Sequence, residues 1–291
     1  MYKTLWKHCN CIKTMSTFQD NSQELQNPLF LPEFQKQETI WNDGYAKTTD
    51  MLLVTPQRLL FCNNYRRSVL LVDSKQGEIR SDVGVPGRPF SICLVKSGRA
   101  AVALSDAKTV QYITIKDDTL ALHKTMSVNG EIMGICAIKD TLAVSYATPA
   151  AVEVTNKKGK VIKRIDNYMY STGEKIFEEP HYITVSPDQS KIFVSDFGTD
   201  TVFMLNTDLQ LLKTFYDPNL MGAPCGIIMF NDKLLICSLQ SKTLVLLEPS
   251  SGKMSPILKE GVGPQALAFS SDTRTLYMVD LDAKIHKYRL K

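Results

Sequence analysis

The chain has 291 residues, of which 44% are hydrophobic and 22% charged, and its formal net charge is +4. That length allows one large core, and so weak a positive balance does not demand nucleic acid. The longest apolar stretch, around Ile132–Ile138, falls far short of the roughly 20 residues of a membrane helix, so no membrane partner is expected.

Residues 1–33 are rich in Gln, Asn and Ser, with no sustained apolar period, and read as a flexible arm or linker. Met1–Asn10 has no apolar centre of the secretory kind. His8, Cys9 and Cys11 are too few for a structural zinc set and read as a chance cluster. Cys62, Cys93, Cys136, Cys225 and Cys237 fall inside apolar runs, where cysteine behaves as a small buried hydrophobe. An odd total, scattered along such runs, argues against a disulfide framework and for the cytoplasm.

From residue 34 onward one pattern returns six times. Arg58–Asn64, Arg99–Ser105, Thr141–Tyr146, Lys191–Asp196, Lys233–Ser238 and Thr275–Asp280 each run from a polar residue through apolar ones. With Asn63, Leu104, Ser145, Ser195, Ser238 and Val279 as equivalents, the spacings are 41, 41, 50, 43 and 41 residues. A period near forty without helical patterning inside it is the signature of a β-propeller.

Each repeat offers four strands, on alternation and β-branched content. In the second they are Ser91–Val95, Ala100–Leu104, Thr109–Ile115 and Leu120–Met126. In the fourth they are Tyr182–Val185, Lys191–Ser195, Thr201–Leu205 and Leu211–Phe215, and in the fifth Gly226–Phe230, Leu234–Cys237, Thr243–Leu247 and Pro256–Lys259. The sixth lacks a fourth strand after Ile285–Leu290, while Phe34–Trp41 precedes the first repeat with no partner of its own. Adding that segment to the last blade closes the ring and removes open edges. The fold class expected is all-β: a monomeric six-bladed propeller over 34–291, closed by an N-terminal strand.

Lys191–Leu205 resembles the NHL repeat, whose apolar second strand ends in Ser or Ala followed by Asp, then a short polar turn and an apolar third strand. Pro180, Pro224 and Pro264 stand where that family often carries a proline before its first strand. Residues 34–291 are similar to the six-bladed C-terminal domain of tripartite-motif (TRIM-like) proteins. In blades one to three the Asp is replaced by Asn64, Ser105 or Tyr146. The resemblance implies a non-catalytic platform that selects protein partners for a ubiquitin ligase, whose own zinc-binding chemistry would lie in other domains.

In an up-and-down blade, the turn between second and third strands shares a face with the crossing between blades, and loops on a rigid scaffold are the usual place for binding. On that face the aromatic candidates for a protein contact are Tyr146, Tyr168, Tyr170, Phe177 and Phe197, four of them in or near the longest spacing. Tyr65, Arg66, Arg67, Arg88 and Lys108 form a basic group suited instead to single-stranded RNA, with Glu174, Glu178 and Glu179 opposing it. The residues opening the innermost strands, expected at the channel mouth, are Thr49, Phe90, Met133, His181, Cys225 and Gln265. That ring has no carboxylate, whereas hard cations need oxygen ligands, so neither a metal nor any other cofactor is expected and a lactonase-like hydrolase is disfavoured. His181 reads as a hydrogen-bonded structural residue, and His123 and His286 as exposed residues of outer strands.

Overall fold

The computed structural model describes residues 31–42, 47–166, 175–259 and 263–291, with only the backbone of residues 40–42 and 259. Among them are 24 strands and no helix. They form six antiparallel sheets of four. The first strand, β1 (Phe34–Asn42), belongs to the last blade. Blade one is β2 (Thr48–Thr55), β3 (Arg58–Asn63), β4 (Ser68–Asp73) and β5 (Ile79–Gly84); blade two is β6 (Pro89–Lys96), β7 (Arg99–Leu104), β8 (Thr109–Lys116) and β9 (Thr119–Ser127). Blade three is β10 (Glu131–Ile138), β11 (Thr141–Thr148), β12 (Ala151–Asn156) and β13 (Val161–Asp166). Blade four is β14 (Pro180–Val185), β15 (Lys191–Asp196), β16 (Thr201–Asn206) and β17 (Leu211–Phe215). Blade five is β18 (Pro224–Phe230), β19 (Lys233–Ser238), β20 (Thr243–Leu247) and β21 (Met254–Lys259). Blade six is β22 (Pro264–Ser270), β23 (Thr275–Asp280), β24 (Lys284–Leu290) and then β1.

The closure expected from the missing strand is present: β1 pairs with β24 from Phe34↔Leu290 to Asn42↔Lys284. Inner strands are buried on both faces because each lies between neighbouring blades, so they read as continuous apolar runs. The outer strand β13 alternates between half-buried and exposed positions, since its outer edge faces solvent.

The pairing corrects the repeat alignment by one residue in three blades. Asn63, Leu104, Tyr146, Asp196, Ser238 and Asp280 are the equivalent positions, opposite Thr48, Pro89, Ile132, Pro180, Pro224 and Pro264. The spacings become 41, 42, 50, 42 and 42 residues. A second repeated device lies on the outer strands, where a lysine beside a β-bulge reaches the next blade. Lys124 Nζ donates to the Lys157 carbonyl at 3.0 Å, Lys163 Nζ to Thr207 at 3.3 Å and Lys213 Nζ to Pro249 at 3.4 Å. The bulge turns the side chain towards the neighbouring blade, which the flat alternation of a strand would not do.

Blades one and two are also joined by charge. Arg58 donates from Nε to Asp118 Oδ1 at 2.7 Å and from one terminal nitrogen to Asp73 Oδ2 at 2.7 Å. The backbone N–H groups of Gln76 and Lys75, with Arg80 and Arg58, draw the buried Asp73 carboxyl down to about 2. A carboxyl with a depressed folded pKa stabilises above its unfolded pKa, and that contribution is lost as pH falls from about 4 towards 2. Asp73→Asn is therefore expected to flatten the loss of melting temperature across that window, removing on the order of 2 kcal/mol of pH-dependent stability. Parallel melts of the variant and the parent between pH 2 and 6 check this, and identical slopes would refute it.

Candidate functional site

The face built from blade crossings and second-to-third-strand turns is held together by one repeated backbone bond. Asn64 N–H donates to Lys47, Ser105 to Arg88, Phe197 to Glu179, Leu239 to Ala223 and Leu281 to Gly263. Turn and crossing thus share a face, as the topology requires.

Beneath this face, the first strand of each blade carries an irregularity immediately after its opening pair. Thr49, Phe90, Met133, His181, Cys225 and Gln265 fall at these six irregularities, and a bulge re-aims the side chain it carries. The sequence reading expected these six residues to line the channel mouth. All six side chains are instead at most 2% exposed. The reason is size and stacking. Phe90 of blade two meets His181 of blade four at 5.8 Å between centroids, and His181 stacks on Phe197 at 5.0 Å. Thr49 Oγ1 donates to the Pro89 carbonyl at 2.8 Å, Ser145 Oγ to His181 at 2.6 Å and Ser195 Oγ to Cys225 at 3.0 Å, which ties neighbouring blades across the ring.

A carboxylate that sequence reasoning missed stands one residue beyond this ring. Asp50 is fully buried and accepts the N–H groups of Met51 at 2.9 Å and of Ile92, in the next blade, at 2.6 Å. Among the described residues, no group of three or more His, Cys, Asp or Glu side chains is placed to hold a metal ion.

The acidic positions of the repeat organise the face. Asp196 accepts four backbone N–H groups: those of Glu178 and Glu179 on the crossing, and of Gly198 and Thr199 on its own turn, at 2.8–3.1 Å. Burial pushes its carboxyl up, against the downward pull of these amides. Asp280 accepts from Asp282 and Lys284 and lies 2.6 Å from His286 Nε2, whose Nδ1 is 3.2 Å from Thr39 Oγ1 of β1. Burial opposes ionisation of Asp280, yet His286 and the two amides hold its carboxyl below the ordinary range. His286, expected on an exposed surface, is 6% exposed and joins the closing strand to blade six.

The aromatic contact surface read from the sequence is largely interior. Tyr146 is fully buried and its hydroxyl donates to Glu153 Oε2 at 2.7 Å; burial and that carboxylate push the phenol well above its usual range. Phe177 is buried edge-on against Phe203, with centroids 5.1 Å apart, and packs with Ile176 into the core of blade four. Phe197 is 5% exposed under His181. These three are core residues, not contacts on the surface. Tyr168, Tyr170 and Glu174 lie outside the described residues, as do His8, Cys9 and Cys11.

The basic group is brought together and left in solvent. Asn63 Oδ1 accepts the Arg66 N–H at 3.0 Å and Asn64 Nδ2 donates to Pro89 at 3.1 Å, which fixes the turn that ends at Arg67 with φ 51°. Tyr65, at the tip of that turn, is 74% exposed. Arg66 and Arg67 on the same turn, Arg88 on the crossing and Lys108 on the turn of blade two are also exposed. Asp106 lies between two of them, 3.3 Å from Arg67 and 4.0 Å from Arg88, and also accepts the Arg88 backbone N–H.

No protein-family model matches the chain, and no curated protein matches it in sequence. Solved structures do match in fold. A streptogramin B lyase is 12% identical with a TM-score of 0.65, over 89% of this chain and 98% of that one. A catalytically inactive virginiamycin B lyase from Staphylococcus aureus with quinupristin is 13% identical with a TM-score of 0.65, over 89% and 100%. The WD40 propeller domain of Doa1 is 11% identical with a TM-score of 0.67, over 90% and 98%. Similarity at this identity supports the propeller fold and extends to enzymes and WD40 domains alike. The NHL and TRIM-like resemblance gains no support from it.

Proposed function

We propose that this protein is a non-catalytic recognition platform that binds a protein partner on the loop face of blades one and two, with Tyr65 as the anchor. One observation carries the reading: a solvent-exposed tyrosine on a hydrogen-bonded turn that also carries the exposed Arg66 and Arg67, with Arg67 and Arg88 both reaching Asp106. Tyrosine and arginine are the residue types that dominate binding hot spots, and a rigid turn lowers the entropy of docking. Packing of Phe90, Met133 and His181 into the ring supports a non-catalytic reading, since side chains buried against one another offer no open surface to a substrate.

The test is affinity capture with the parent and Tyr65→Ala, followed by titration of the captured protein against both. Loss of a hot-spot side chain costs roughly 2 kcal/mol, or about thirty-fold in affinity. Unchanged affinity in Tyr65→Ala would sink the assignment. Single-stranded RNA is a second reading favoured by the same arginines. Four phosphates would give a salt slope of roughly −3, and Asp106 already pairs with two of the cations. RNA binding there is expected to vanish near 0.15 M salt, at roughly one Debye length of 8 Å. Sub-micromolar binding to a single-stranded pool at that salt, abolished by Arg66→Ala with Arg67→Ala, would reverse the preference.

A further inference from the structure

The face opposite Tyr65 carries an excess of lysine across blades two and three. Lys157 and Lys158, with Gly159 and Lys160, form the turn between β12 and β13, and Lys139 stands on the turn between β10 and β11. Lys96 ends β6 on the corresponding turn of blade two, and Lys124 leans across from β9. The groups are tied to one another: Lys124 Nζ reaches the Lys157 carbonyl, and Lys157 Nζ lies 3.5 Å from the Lys139 carbonyl.

Three nearby carboxylates already have cationic partners. Asp140 is 3.3 Å from Lys157, Asp117 is 4.0 Å from Lys116, and Asp118 is held by Arg58. On the adjoining turn of blade four, Asp188 accepts from Ser186 and Ser190. Lys96, Lys124, Lys139, Lys158 and Lys160 are exposed and have no ion-pair partner among the described residues.

The tip of this patch is held rigidly. Asn156 Oδ1 accepts the N–H groups of both Lys158 and Lys160, at 2.9 and 3.1 Å. Gly159 takes φ +90°, and a β-carbon there would lie 3.0 Å from Met126 Cγ, so the turn is seated against blade two. The lysines therefore project from a fixed base, and their binding costs less ordering than on a loose loop.

We propose that this face is a sequence-independent site for the phosphate backbone of a double-stranded nucleic acid. Lysine serves as a point charge for phosphate and needs no bidentate geometry. Tyr112 is 2% exposed and lies under Lys124, whose Nζ is 4.9 Å from its centroid. It therefore offers no platform for stacked bases, which single-strand binding uses. Backbone contacts alone position a duplex without reading its bases.

Five neutralised phosphates predict a slope of log affinity against log salt of about −4.5 on B-DNA. Binding of a labelled 20-base-pair DNA duplex and of an RNA duplex of equal length, by fluorescence anisotropy from 0.05 to 0.2 M salt, measures it and separates the two sources. Micromolar affinity at the low end is expected, falling by several hundred-fold at the high end. Lys158→Glu with Lys160→Glu should weaken binding more than ten-fold and reduce the slope in magnitude by about 1.8, since each phosphate no longer neutralised removes ~0.9. Lys96→Glu, on a separate turn, should act in the same direction, so a folding defect in the double variant does not decide the matter. Tyr65→Ala should leave duplex binding unchanged, which separates this site from the loop face. Equal binding by the parent and both lysine variants would overturn the proposal. So would displacement of the duplex by polyglutamate at a lower concentration than by unlabelled duplex, which would make the site one for acidic protein segments.

Discussion

Deletion of residues 1–42 is expected to abolish the cooperative thermal transition of the ring, whereas deletion of residues 1–30 should leave it unchanged. The deleted strand β1 supplies the whole outer edge of blade six, seven residue pairs deep against β24. Its first residue, Phe34, is 7% exposed and sits edge-on to Phe230 of blade five at 6.0 Å and to Phe269 of blade six at 6.4 Å. Thr39 meets His286, Glu38 pairs with Lys287, and the Lys291 N–H donates to the Glu33 carbonyl. Without β1, β24 becomes an unpaired edge that presents Ile285 and Tyr288 beside it, and such edges invite association between chains. A smaller version of the same test is Phe34→Ala, which should cost about 3 kcal/mol, the usual loss for a large aromatic removed from a core. Calorimetry of the three variants checks the pair of claims. A single sharp transition at the parent temperature after removal of residues 1–42 would show that the other five blades close without this strand.

What the sequence revealed was the part of the fold that repeats locally. Lys191–Asp196 and its five counterparts announce second strands because burial on both faces demands an unbroken apolar run. Phe34–Trp41, which has no repeat of its own, could be assigned to the last blade by counting strands alone. Side-chain partners on neighbouring segments were hidden, because nothing in the local pattern of one strand says what its neighbour offers. Tyr146 looked like a loop aromatic, but its hydroxyl is taken by Glu153 on the next strand of the same blade. Phe177 sat in a long insertion and proved to be packed on Phe203. His286 is buried only because Asp280 and Thr39 close on it from two sides.

Register was the other limit. A one-residue slip moves every side chain of a strand to its other face, and the bulges at Thr49, Phe90 and their counterparts make the alternation in first strands hard to follow. Asp50 was overlooked for that reason. The repeated outer lysines did leave a trace, in Lys124-Thr-Met and Lys213-Thr-Phe, each at the same place in its blade. The trace becomes meaningful once the carbonyls of Lys157 and Pro249 are seen to lie within reach.

Asp196→Ala should be the most damaging single change on the loop face, costing about 3 kcal/mol or more. Its carboxylate gathers four backbone N–H groups from two separate segments, and each donor left unsatisfied in a buried place costs roughly 1–3 kcal/mol. Water can reach some of them after truncation, which keeps the expected total near the low end of that sum. Space is tight as well: a β-carbon at Gly198 would lie 2.6 Å from Glu178 Cγ, so turn and crossing are pressed together and cannot rearrange independently. The neighbour of Asp196, Phe197, stacks on His181, and loosening the turn would therefore disturb the buried ring beneath the face. Asp196→Asn keeps one acceptor oxygen but turns an amide N–H₂ towards donors, so it should recover less than half of the loss. Chemical denaturation of both variants provides the measurement. Addition of Tyr65→Ala, more than two blades away, should then prove additive within about 0.5 kcal/mol. An Asp196→Ala protein within about 1 kcal/mol of the parent would mean that the four amides find other acceptors, and that the acidic position of this repeat does not hold the face together.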